Sequence, residues 1–134
     1  LIPLMVRTAL KGDSLPVYGD GLHVRDWIHV DDHCRGLIAA ARDGEAGRVY
    51  NFGGESERTN LRVVRNILEA LGLSDSLIEF VKDRPGHDRR YAIDVSRARH
   101  ELGWSPAINF QEGLATTVEW YRSQPKWLEA VTRA

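Results

Sequence analysis

The sequence predicts a mixed α/β fold, α+β-like in that helices dominate and the strands between them are short. Three observations predict it. Apolar residues recur at helical spacing in several segments, most of them stopped by glycine. Strand formers gather only in brief runs. The resulting order is helix-dominated with short strands between, which is not that of a complete doubly wound sheet.

In chain order, residues 1–11 read as a helix with Leu1, Leu4, Met5 and Thr8 on one side and Gly12 as its stop. Residues 14–18 read as extended, and Gly19-Asp20-Gly21 turns the chain. Val24 to Val30 is rich in strand formers. Asp31 or Asp32 then caps a helix whose Cys34, Leu37, Ile38 and Ala41 follow the i, i+3, i+4, i+7 pattern, ending at Asp43-Gly44. Arg48 to Phe52 is a short strand closed by Gly53-Gly54. Thr59 or Asn60 caps a helix with Val64, Ile67, Leu68 and Leu71 on its stripe and Gly72 at its end.

Leu77 to Val81 is another short strand. Asp83 to His87 is a loop, because Arg84 precedes proline and Gly86 permits unusual dihedrals. Asp94 starts a short helix ending at Gly103, and Phe110 to Ser123 forms a longer one. Pro125 interrupts, and Trp127, Leu128 and Val131 point to a final helical turn or two.

At 134 residues and 43% hydrophobic, the chain suffices for one core, so residues 1–134 are expected to form a single domain. Charged residues are 28% of the total and nearly cancel at net -1, which argues against a nucleic-acid partner. One cysteine, Cys34, excludes an internal disulfide, and a reducing, cytoplasmic setting is expected. No apolar run approaches the ~20 residues of a membrane span. The opening Leu1-Ile2-Pro3-Leu4 has neither a basic leader nor an initiator methionine, and a piece of a longer protein is expected.

Catalytic signatures are missing. There is no dinucleotide fingerprint, no phosphate loop of the Walker type and no G-x-S-x-G elbow, and Tyr50, Tyr91 and Tyr121 are not followed four residues on by lysine. His29 and His33 have zinc-like i, i+4 spacing. With His29 in a strand and His33 in the next helix, however, capping and packing are favoured and no metal is expected. The loops instead carry groups suited to a nucleotide. Pro16 and Tyr18 offer a flat surface for a base, Arg25 and Arg84 are forks for a diphosphate, and Asn60 can donate to a phosphate. Gly86-His87 allows close backbone approach beside an imidazole.

These segments resemble a family. Leu15-Pro16-Val17-Tyr18-Gly19-Asp20-Gly21, Val24 to Asp32 (VRDWIHVDD) and Tyr50-Asn51-Phe52-Gly53 look like the downstream half of extended short-chain dehydrogenase/reductases. Glu57 to Leu61, Asp83 to Asp94 (DRPGHDRRYAID) and Glu101 to Pro106 narrow the resemblance to the dTDP-glucose 4,6-dehydratases. The resemblance implies the nucleotide-sugar-binding C-terminal part of such an enzyme, without its Rossmann core. It implies contacts to a dTDP-sugar at Leu1, at Pro16, Val17 and Tyr18, at Arg25, at Asn60, and at Asp83, Arg84, Pro85, Gly86 and His87. It implies no catalytic residue and no cofactor here, NAD being held by the missing half. The family also has a lysine just before the position of Leu1.

Two other readings stand beside it: an autonomous module that binds a nucleotide sugar or a protein, and a piece of a sibling UDP-sugar epimerase or decarboxylase. On the family's architecture, the strand edge at Val49 to Phe52 and the apolar face of the helix after Asp32 would be left uncovered. Self-association is expected from that.

Overall fold

The computed structural model describes residues 1–130; Val131, read as part of the last helical turn, lies outside them. Helix α1 spans Ile2–Leu10, strand β1 Leu15–Tyr18, β2 Val24–Asp26, α2 Val30–Asp43, β3 Glu57–Thr59 and α3 Asn60–Leu71. A 3₁₀ turn at Asp75–Leu77 leads to β4, Ile78–Val81, followed by β5, Arg90–Tyr91. Helices α4, Ser96–Leu102, α5, Phe110–Ser123, and α6, Pro125–Ala130, follow. The mixed, helix-dominated α/β class is the one expected. No helix among the described residues is long and apolar enough to cross a membrane.

Contacts divide the described residues into two compact units, one of residues 1–23, 59–89 and 114–130, the other of residues 24–58 and 90–113. In the first, β1 and β4 form a parallel pair with Leu15 opposite Ile78 and Tyr18 opposite Val81. Pro16 is tolerated there because the ladder has only two strands, so a missing N–H can face the free edge. The core joins Leu15 and Val17 of β1 to Met5, Val6 and Ala9 of α1, to Val63, Val64, Ile67 and Leu68 of α3, and to Leu114 and Val118. Of the face expected for α1, Met5 is buried, but Leu1 and Leu4 are about two-fifths exposed, because α1 turns Val6 and Ala9 inward beside Met5. Thr59, not Asn60, caps α3, its Oγ1 accepting the Arg62 N–H at 3.2 Å, and Gly72 closes the helix in the left-handed region.

The second unit holds a three-stranded sheet in the order β3-β2-β5, with Val24 opposite Arg90 and Arg25 opposite Tyr91 in parallel. The strand expected over residues 24–30 stops at Asp26. The Asp26 carboxylate takes the N–H groups of Gly54 at 3.0 Å and Ser56 at 2.7 Å, and the chain leaves the ladder. The expected cap at Asp31 or Asp32 is also corrected. His29 is the N-cap, its Nδ1 accepting the Asp31 N–H at 3.2 Å, so His29 does not lie in a strand.

Asp32 is instead buried, and binds the N–H groups of Ala107 at 3.0 Å and Ile108 at 2.9 Å as well as the Arg35 guanidinium. Its carbonyl accepts the Trp104 indole N–H at 3.1 Å. Burial opposes ionisation of Asp32, but the bonds from Arg35, Ile108 and Ala107 outweigh it and hold its carboxyl below the usual range. Trp104 packs with Val95 and Ala98, flanked by Ile28, Phe52 and Leu102.

Residues 48–52 form no strand. A strand exists only by pairing, and here the Val49 carbonyl is taken by the Arg97 side chain at 2.9 Å. Phe52 serves the core, edge-on to Trp104 at 4.9 Å and against Gly36, where a Cβ would come within 2.5 Å of the Phe52 ring. The apolar stripe of α2 faces outward as expected: Leu37 is 52% and Ile38 64% exposed.

Candidate functional site

Of the residues read as ligand contacts, all but Arg25 belong to the first unit. Turns at the end of β1 and after β4 bring Tyr18 beside Asp83 to His87. Parallel pairing sets Tyr18 opposite Val81, so the chain leaves both strands at the same end of the ladder. Gly19 turns away with a positive φ of 58° and donates to the Val81 carbonyl at 2.9 Å. A Cβ on Gly19 would stand 3.1 Å from Asp83 Oδ2, so the close approach of turn and loop is tight for any larger residue.

The loop that follows β4 is organised by one carboxylate. Asp83 Oδ1 accepts the Arg84 N–H at 2.9 Å and lies 2.7 Å from His87 Nδ1. Its Oδ2 lies 3.2 Å from Nε2 of His23, a side chain only 3% exposed. The hydrogen bond from His87 is the main cause that holds the Asp83 carboxyl below the usual range, opposed by burial and helped by the Arg84 N–H. The rings of His23 and His87 stack at 3.7 Å with planes 15° apart, and Tyr18 meets His87 edge-on at 6.2 Å. The His23 carbonyl accepts the N–H of Asn60, the first residue of α3, at 2.9 Å.

His23, Asp83 and His87 bring ligand-type atoms within 4.8 Å of one another. The stacked rings point their in-plane nitrogens side by side, whereas metal ligands converge on a point. Each of the two nitrogens already faces a carboxylate oxygen. The arrangement is therefore built for hydrogen bonding, with the ionised carboxylate as acceptor and one N–H from each imidazole.

Around this centre, Tyr18 is half-exposed and Pro16 partly so, which leaves a flat surface at the end of β1. Val17 is 2% exposed, so its side chain belongs to the core. Arg84, Pro85 and Gly86 are exposed, Gly86 with a φ of 69°, and the Arg84 guanidinium has no ion-pair partner among the described residues. Next to them, Arg89 forks onto Asp20 with bonds of 2.8 and 2.9 Å and draws the Asp20 carboxyl down to about 2. Leu1 is 40% exposed at the start of α1. Arg25, in the second unit, lays its guanidinium over the Tyr91 ring at 4.1 Å.

His23 was not singled out from the sequence. A lone histidine after a glycine turn has no periodic or motif signature, and only the fold shows that it touches three of the residues that were, Asn60, Asp83 and His87. The second unit also has an open cavity of about 310 Å³ lined by Val49, Asn51, Asp94, Arg97, His100 and Glu101. It holds none of the sequence-read residues, and Arg97 is engaged with the Val49 carbonyl and Glu101.

Comparison with known proteins places these features in a family. The model of the GDP-mannose 4,6 dehydratase family matches residues 1–117. A dTDP-glucose 4,6-dehydratase of an Actinoplanes species is 52% identical over 127 residues, which is 95% of this chain and 40% of the relative. Among solved structures, the dTDP-glucose 4,6-dehydratase of Bacillus anthracis in complex with NAD is 50% identical with a TM-score of 0.90, covering 95% of this chain and 40% of that one. The dTDP-glucose 4,6-dehydratase of Streptomyces venezuelae is 46% identical with a TM-score of 0.92, covering 95% and 39%. The chain thus spans about 40% of the length of the curated relatives it matches.

Proposed function

The chain belongs to the GDP-mannose 4,6 dehydratase family, and from that premise we propose that it is the nucleotide-sugar-binding part of a dTDP-glucose 4,6-dehydratase. One observation carries the reading: the Asp83–His87 loop, tied by its own carboxylate, lies beside an exposed Tyr18 and leaves Arg84 without a partner among the described residues. A flat aromatic next to an available guanidinium and a glycine that bares the backbone is what a nucleoside diphosphate needs. Within the first unit, Tyr18 and Pro16 would take the thymine, Arg84 the diphosphate, and Asn60 and His87 polar edges of the ligand. The Val17 side chain is core, so its share falls to the main chain, and Leu1 closes one side.

The complete enzyme would convert dTDP-glucose to its 4-keto-6-deoxy product with NAD, in the cytoplasm. The residues present do not fit NAD. The glycine turn after β1 leads to β2, and β3 runs straight into the cap of α3, so no strand passes through a glycine-rich turn to a helix N-terminus among the described residues. This chain's part is positioning. Holding the nucleotide far from the reacting carbons keeps the sugar in register for groups supplied elsewhere.

The exposed stripe of α2, with Val30, Leu37 and Ile38, would be covered by the NAD-binding half in the complete enzyme. By itself the chain is expected to self-associate through it. Titration calorimetry with dTDP tests the binding reading: weak but saturable binding, lost in Arg84→Ala, is expected, and no binding at millimolar dTDP would refute it for this chain. Sedimentation tests the second claim, since a monomer at high concentration contradicts it. With dTDP-glucose and NAD, no turnover is expected from the chain alone.

A further inference from the structure

We propose that His23 is a positioning residue for the nucleotide loop, holding Asp83 and His87 in the geometry that the loop presents to its ligand. The ligand side of this inference rests on the function proposed above; the positioning itself does not. Three contacts converge on this buried ring and its backbone. The carbonyl fixes the first N–H of α3 through Asn60, Nε2 reaches Asp83 Oδ2 at 3.2 Å, and the ring face stacks on His87 at 3.7 Å.

The two oxygens of Asp83 are shared unequally. Oδ1 serves the loop itself, through the Arg84 N–H and His87, whereas Oδ2 faces His23. The terminal torsion of an aspartate is soft and roughly two-fold. Without a donor on Oδ2, the carboxylate can turn, and the bond that selects the Nδ1–H form of His87 turns with it. The stacked ring supplies the second restraint, since it leaves His87 only 6% exposed while Asp83 remains 39% exposed. His23 Nδ1 is buried without a partner among the described residues, so a neutral ring with its proton on Nε2 strands only a lone pair there.

The test is made on the full chain with His23→Phe, which keeps a flat ring but no donor, and His23→Gln, which keeps a donor but no ring. Nitrogen NMR of the imidazoles reads the His87 tautomer, and calorimetry reads dTDP affinity. The wild type is expected to hold His87 in the Nδ1–H form. His23→Phe should move it toward a mixture and weaken dTDP binding about tenfold, with His23→Gln recovering most of both. An unchanged His87 tautomer in His23→Phe, with dTDP affinity within about twofold of wild type, would overturn the proposal. Should the wild type bind no dTDP, the proposed function fails for this chain, and the tautomer decides His23 alone: a shift in His23→Phe supports it, none refutes it.

Discussion

Each unit of this molecule is organised around an aspartate, and the two aspartates differ in what they bind. Asp32 is 1% exposed and spends its carboxylate on two main-chain N–H groups and one arginine. Asp83 is 39% exposed and spends its carboxylate on one N–H and two imidazoles. Main-chain partners cannot change their protonation and are fixed by the fold, so Asp32 is an anchor. Imidazoles can change proton, tautomer and orientation, so the surroundings of Asp83 can readjust, as the proposed nucleotide loop would require. Both carboxylates are held below the usual range by hydrogen bonds, so a lowered pKa alone does not separate anchor from site; the identity of the partners does.

The largest expected effect breaks the comparison at the anchor. Asp32→Ala leaves the Ala107 and Ile108 N–H groups without their acceptor in a part-buried setting and frees Arg35. A loss of about 3 kcal/mol is expected in urea unfolding. Asp32→Asn keeps one acceptor oxygen and should cost about half as much. An equal cost for both would mean that charge, not hydrogen bonding, is what Asp32 supplies.

Asp83→Asn should do the converse. The unfolding midpoint should barely move, because the side chain is partly solvated and its amide can still accept from the Arg84 N–H. Affinity for dTDP should fall about tenfold, because an amide cannot accept from both imidazoles as an ionised carboxylate does. A variant that unfolds but binds dTDP normally when folded would reverse the roles assigned here.

That contrast was only partly legible in the sequence. Helical periodicity located α2 and α3 because amphipathic stripes and the turn residues that bound them are local. Asp32 was read as a cap on the same local logic, and the reading failed because His29 reached the orphan N–H first and Asp32 was drawn to residues 107–108. The strand expected at 48–52 failed for a related reason: β-propensity describes a surface that could pair, while pairing needs a partner brought from elsewhere. Two-residue β5 has no pattern to detect. The site divides the same way. Tyr18 and Asp83 to His87 carried turn and motif signals, but His23 matters only because β1 and β4 run parallel and end together.

A smaller effect appears as a dependence on pH. Asp32 binds a proton less readily in the folded chain than in the unfolded one, where its value is near 3.8. Its stabilisation is therefore complete above about pH 4 and drains as the pH falls through the lower folded value. The difference in stability between wild type and Asp32→Asn, measured in urea, should be flat from neutral pH down to about 4 and shrink below it. A difference that persists undiminished in stronger acid would show that the Asp32 carboxylate is not what the fold loses.

The smallest effect is expected where the pKa is most displaced. Asp20 is drawn to about 2, first by the Arg89 fork and then by the Leu22 N–H, and the sign is that of Asp32. Yet Asp20 and Arg89 are each more than half exposed, and an ion pair in that setting gains little over two solvated charges. Asp20→Asn should leave the unfolding midpoint nearly unchanged, and raising the salt to about 0.5 M should remove what difference there is. What the variant should alter is the loop: with Asp20 neutral, Arg89 is released beside Asp83 and becomes a second available cation near Arg84. If dTDP binding strengthens while stability holds, the Asp20–Arg89 pair belongs with Asp83 among the groups that tune the ligand surface. A loss of stability without a change in binding would instead place it with Asp32 as an anchor.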